Sequence, residues 1–104
     1  MSDTQRIDIW LWQARFFKTR SLATTIVQKG QCRITSGGTT RRISKASSLV
    51  RIGDGLTFKK NGRIVQLEIL ELSARRGPAA EAQTLYRLLE DETETGVRRE
   101  ETEI

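Results

Sequence analysis

The stretch FFKTRSLATTIVQKGQCRI, running from Phe16 to Ile34, decides how the rest of the chain is read. An apolar pair is followed by Lys18, Thr19, Arg20 and Ser21, then by a half-apolar run that stops at Lys29-Gly30. Thr19 or Ser21 is placed to start a helix, because its hydroxyl can accept a backbone N–H bond. Leu22, Ala23, Ile26 and Val27 recur at helical spacing and predict the inner face. Thr24, Thr25 and Gln28 point elsewhere. Gly30 stands at the stop position, where the left-handed conformation is cheap only without a side chain. Gln31–Thr35 then alternates as a strand, with Cys32 and Ile34 on one side and Arg33 on the other.

Upstream, Ile7, Trp10, Leu11, Ala14 and Phe17 form one apolar stripe and predict a helix over residues 7–17. Ile9, Trp12 and Phe16 form a second stripe. Two apolar faces on one short helix require cover from two sides or leave an aromatic patch for stacking bases. Cover is the preferred reading, since the C-terminal half offers a partner. Downstream, Ser36–Ser48 reads as a polar, flexible loop. SLVRI reads as a short strand and Gly53–Gly55 as a turn. LTFKK and RIVQLEILEL are joined by Asn61-Gly62, a strong hairpin signal. Gly77-Pro78 breaks the chain, and Pro78 suits the first position of a third helix. In that helix Ala82, Leu85, Tyr86 and Leu89 would face Trp12 and Phe16. The expected fold class is α+β: two packed N-terminal helices, a small, mainly antiparallel sheet of about four or five strands, and a C-terminal helix. The expected organisation is one domain over residues 6–75, a helix over 78–90 packed on it, and a disordered acidic tail over 91–104.

Charge is distributed unevenly. The chain has 104 residues and a formal charge of +5. Residues 1–63 hold thirteen Lys or Arg and three acids, +10; residues 64–104 hold five and ten, −5. A basic body of this kind predicts a polyanionic partner. Several classes of chemistry are excluded or unsupported. There is no histidine, so a Ser-His-Asp triad cannot form. One cysteine permits no internal disulfide and no Cys/His zinc site, and suggests a reducing, cytosolic compartment. SGGTT lacks the lysine and spacing of a phosphate loop. No stretch reaches the ~20 apolar residues of a membrane span. Asp8 reads as a helix-dipole partner and Asp54 as a turn residue. No enzyme activity, cofactor or small-molecule substrate is implied.

Phosphate binding is what the residues do support. A helix start offers unpaired N–H groups and partial positive charge. Lys18, Thr19, Arg20 and Ser21 lie at such a start, and Arg33 leaves the next strand. Arg41, Arg42, Ser44 and Lys45 lie in a loop able to fold back beside them. Arg15 adds charge on the first helix.

RIDIWLWQARFFKTRSLATTIVQKGQCRI, Arg6 to Ile34, resembles the opening of the RNA-binding domain family of small-subunit ribosomal protein S-four. The shared pattern is Arg6-Ile7-Asp8, an amphipathic helix, Thr19-Arg20-Ser21 at a helix start, and Gly30-Gln31-Cys32 before a strand. GDGLTF (Gly53–Phe58) resembles the turn that closes that domain. WLWQARFFKTRSLA and RRGPAAEAQTLY are similar to the stand-alone, ribosome-associated heat-shock protein fifteen group. The resemblance implies binding of structured RNA, ribosomal RNA or a ribosomal subunit above all. It places the RNA against the second helix and the following strand and loop, through Arg6, Lys18, Thr19, Arg20, Gly30, Arg33 and the Ser44–Lys45 region. Three other readings are a helix-turn-helix regulator on DNA, a protein-interaction adaptor using Trp12 and Phe16, and a detached appendage of an RNA-modifying enzyme.

Overall fold

The computed structural model describes residues 3–89; the acidic tail lies outside the described residues. Helix α1 spans Ile7–Gln13, shorter than the apolar stripe predicts. It ends because Arg15 turns left-handed at φ 65°. Phe16 N–H then donates to Leu11 O at 3.1 Å and Arg15 N–H to Trp12 O at 3.1 Å. This is the Schellman closure, here built on arginine instead of glycine. Helix α2 spans Arg20–Gln28, and Thr19 is its cap, accepting from Leu22 N–H at 3.1 Å. The same closure ends it at Gly30, φ 73°, through Gly30 N–H to Val27 O and Gln31 N–H to Ile26 O. Ala23 and Val27 are buried and Ile26 packs on the core, whereas Leu22, expected inside, is exposed.

The sheet is β2 (Cys32–Ser36), β3 (Thr39–Ile43), β5 (Gly55–Lys60), β6 (Arg63–Ile69) and β7 (Tyr86–Leu88), in the spatial order β3-β2-β5-β6-β7. All neighbours are antiparallel. A separate two-stranded pair joins β1 (Gln5–Arg6) to β4 (Leu49–Val50). Asn61-Gly62 makes the β5–β6 hairpin turn as expected. The loop expected over Ser36–Ser48 is half wrong. Gly37-Gly38, with φ of 58° and 83°, closes a tight hairpin, and Thr39–Ile43 is a strand. The Gly-Gly signal was present, but TTRR lacks the apolar alternation that marks a half-buried strand.

One face of the sheet is apolar. Cys32, Ile34, Ile43, Leu56, Phe58, Leu67 and Ile69 pack with Ile7, Trp10, Leu11, Ala23 and Val27 of the helices in one cluster. Buried Trp10 donates its indole N–H to Glu71 O at 2.9 Å, so the largest core side chain leaves no polar atom unpaired. The C-terminal helix is present but short: Pro78 is its cap, α3 covers Ala79–Ala82, and a 3₁₀ turn follows over Gln83–Leu85. The helix expected over 78–90 therefore gives way to β7, because Tyr86 and Leu88 complete the sheet beside β6. Phe16 is covered by Tyr86 (ring centroids 4.6 Å apart) and Phe58 (5.3 Å). Trp12 is covered by the Arg76 guanidinium, 5.6 Å above its ring. Trp12 and Phe16 of the second apolar stripe are thus half-buried against other parts of the chain. Among the described residues no helix is long and apolar enough to cross a membrane.

Candidate nucleic-acid interface

Asp8 organises the start of α2. It is the second residue of α1, and its side chain is only 1% exposed. One carboxylate oxygen accepts from Ile9 N–H (2.8 Å) and Arg6 Nε (3.2 Å). The other accepts from Arg6 Nη2 (3.1 Å), the Thr24 hydroxyl (3.1 Å) and Arg20 Nε (3.4 Å). Burial by itself would raise the pKa of this acid. Hydrogen bonds from Arg6 and Thr24, with the charges of Arg6 and Arg20, more than offset it, so the pKa is lowered. One carboxylate shared by two guanidiniums leaves a net positive charge, and Arg6 and Arg20 remain 43% and 47% exposed. Asp8 is therefore more than a dipole partner: it aims two arginines outward beside Ser21 and Thr24 in one shallow depression. The Arg6-x-Asp8 spacing hinted at this; Arg20 and Thr24 reach it only through the packing of α1 on α2.

The face of the sheet opposite the core carries a second group. Arg33 is directly opposite Arg42 on β3 and Thr57 on β5. Thr57 is in turn opposite Gln66 on β6, which makes a polar row across four strands. The Arg42 guanidinium bends over Gly30, with Nε 3.8 Å from where a Cβ on that residue would sit. Gly30 thus places backbone without a side chain beside Arg33, in a depression that also borders Thr57 and Lys59. Like charges placed directly opposite each other are unfavourable. Neither Arg33 nor Arg42 has a carboxylate partner among the described residues.

A cleft of about 880 Å³ lies on the other flank of α2. Arg15, Lys18 and Lys29 border it, together with Lys60 from the β5–β6 turn and Arg76 from the C-terminal segment. Its apolar surface comes from Phe16, Phe17, Leu22 and Ile26. Arg15 Nε donates to Gly77 O (2.7 Å) and Arg76 Nε to Trp12 O (3.1 Å), so both guanidiniums are held by carbonyls. Among the described residues, the cations with carboxylate partners are Arg6, Arg20, Arg75 and Arg87. Lys60 and Arg76 were missed in the sequence, because the fold alone brings them to α2.

The predicted residues therefore form separate groups around α2 and not one groove. Arg6 and Arg20 lie on one flank, Arg15 and Lys18 on the other, and Gly30, Arg33 and Arg42 beyond its C-terminal end. Thr25 borders both flanking depressions. Ser44 and Lys45 are exposed on the loop after β3, which docks on the start of α1 through Asp8 N–H to Ala46 O and Ile7 N–H to Ser48 O. Arg41 is apart: it is opposite Ile34, on the face of the sheet turned away from Arg33, and borders a depression with Ser36 and Asp54. Strand alternation separates it from its neighbour Arg42.

No family model matches the chain. It is 35% identical to a heat shock protein 15 homolog of Haemophilus influenzae over 92% of this chain and 66% of that protein. It is 32% identical to heat shock protein 15 of Escherichia coli, over 92% of this chain and 65% of that one. The chain thus spans about two thirds of the length of these relatives. With an RQC P-site tRNA stabilizing factor of Listeria innocua it shares 33% identity over 88% of this chain and 94% of that protein. The trimeric structure of heat shock protein 15 from Vibrio cholerae superimposes with a TM-score of 0.72 at 38% identity, covering 83% of this chain and 82% of that one. Sequence and fold agree: the chain belongs to the heat shock protein 15 group of the RNA-binding family named after ribosomal protein S-four.

Proposed function

We propose that this protein binds structured RNA of the ribosome or of a ribosome-bound tRNA, without altering it chemically, and acts in the cytosol. The names of its relatives, heat shock proteins and a P-site tRNA stabilizing factor, support that class of partner. The observation that carries the reading is the charge around α2. Arg15, Lys18, Arg33 and Arg42 form no ion pair among the described residues, and Arg6 and Arg20 share a single carboxylate. The groups on offer are cations, hydroxyls and open backbone at Gly30, which read phosphate position and helix shape more than base edges. A DNA-reading α2 is less well supported. Thr24 gives its hydroxyl to Asp8 and Thr25 to Ser21 O, which leaves little on that helix for base recognition. The adaptor reading is weakened by the internal cover over Phe16 and Trp12.

Filter binding of a ribosomal RNA fragment across a salt series tests the proposal. Neutralising about four to six phosphates gives a slope of log K against log salt of roughly −3 to −5. A slope near zero rules phosphate contact out. Duplex DNA competing as well as folded RNA would favour the DNA reading.

A further inference from the structure

We propose that the cleft between α2, the β5–β6 turn and the C-terminal segment receives the base of one unpaired nucleotide of the bound RNA. The inference rests on the RNA-binding reading and adds a subsite to it. A nucleotide combines a flat, largely apolar base with a phosphate on either side, and the cleft combines the complementary features. Phe16, Phe17, Leu22 and Ile26 supply apolar surface. Leu22 is half exposed (50%), whereas Ala23 and Val27 of the same helix are buried. Lys18, Lys29 and Lys60 stand on the rim, and no carboxylate borders the cleft among the described residues. The volume of about 880 Å³ falls within the range of small-molecule sites, roughly 300–1,000 Å³.

The rim is also preorganised. Arg15 is fixed twice, by its left-handed backbone and by its bond to Gly77 O, and Arg76 by its bond to Trp12 O and its place over the Trp12 ring. Carbonyl partners orient a guanidinium without cancelling its charge, so these two remain available to an anion. The cleft is continuous with the proposed RNA surface, since Thr25 borders both it and the Arg6–Arg20 depression. A strand whose phosphates cross the start of α2 would therefore pass over the cleft mouth. That path favours a base from the same RNA over a separate acidic peptide.

The test uses two RNA hairpins that differ at one position. In one, 2-aminopurine is a single-nucleotide bulge; in the other it is paired. Wild-type protein is expected to bind the bulged hairpin about tenfold more tightly or better, the ratio a stacked base supplies, and to change the 2-aminopurine emission of that hairpin. Leu22→Ser, at an exposed site and checked for an unchanged melting curve, is expected to abolish the preference while retaining most affinity for the paired hairpin. Equal affinity for the two hairpins overturns the subsite and leaves RNA binding standing. A preference that survives both Leu22→Ser and Lys60→Gln overturns it as well, by placing the base elsewhere. A change of oligomeric state in Leu22→Ser without any hairpin preference assigns the cleft to a second copy of the chain. Failure to bind either hairpin overturns the RNA reading and the subsite together.

Discussion

Replacing Asp8 by Asn keeps the side chain's shape and removes the charge that Arg6 and Arg20 share. Two charge-assisted pairs weaken in a buried position, and their exposed ends are screened by solvent, so Asp8→Asn should cost about 2 kcal/mol in urea unfolding. Because the folded-state pKa lies below the ordinary 3.8, the wild-type carboxylate stabilises the fold fully above that value. Its contribution is lost as pH falls through the lower folded value. Unfolding followed from pH 6 to pH 2 should therefore show a steeper loss in wild type than in Asp8→Asn; parallel curves would mean Asp8 is not the linked group. Cys32 is the opposite case: burial pushes its thiol up to about 12. A thiol reagent at neutral pH should leave the native protein unlabelled and react only once denaturant opens the sheet; prompt labelling of the native state would contradict the burial. The alternation of Gln31–Thr35 put Cys32 on the same side of the strand as Ile34, and that side is the core. The sequence could not show that Arg15 ends α1, since a left-handed arginine has no local signature and is retained here by Gly77 O.

Helix α2 and the Asn61-Gly62 hairpin were readable because their signals are local: a capping hydroxyl, a stop glycine, a turn dipeptide. Strand β3 and the point where α3 gives way to β7 were not, because their place depends on which strand lies beside them. The pairing of β2 with β3 has an energetic consequence. Arg33 and Arg42 repel across the ladder, so replacing both by Gln should raise stability slightly, by about 0.2–1 kcal/mol. The same variant should weaken RNA binding and make the salt slope shallower by roughly 1 to 2, as two phosphate contacts are lost. A variant that gains stability and keeps full affinity would remove these arginines from the interface.

The two ends of the described chain hold each other. Trp10 donates to Glu71 O, Gln5 to Ser73 O, Arg76 to Trp12 O, and Tyr86 lies against Phe16. A chain stopped after Leu72 would lose β7, the buried Leu85 and the cover over Phe16 and Trp12. At about 2–5 kcal/mol for each large core residue lost, this approaches the whole margin of a small domain. It should abolish the cooperative thermal transition seen by circular dichroism; a sharp transition in the truncated chain would show that the first 72 residues fold alone. Composition announced the charge and the neighbouring motifs announced Arg6, Lys18, Arg20 and Arg33, but the grouping of these cations around α2 needed the fold. Strand β3 has one more effect. It lies at the outer edge of the sheet, where unpaired N–H and C=O groups invite a strand from another molecule. Arg41 and Arg42 make that border hostile to a like-charged copy. A positively charged edge of this kind disfavours strand addition by another copy, so replacing Arg42 by a neutral residue should alter anion affinity and colloidal behaviour together.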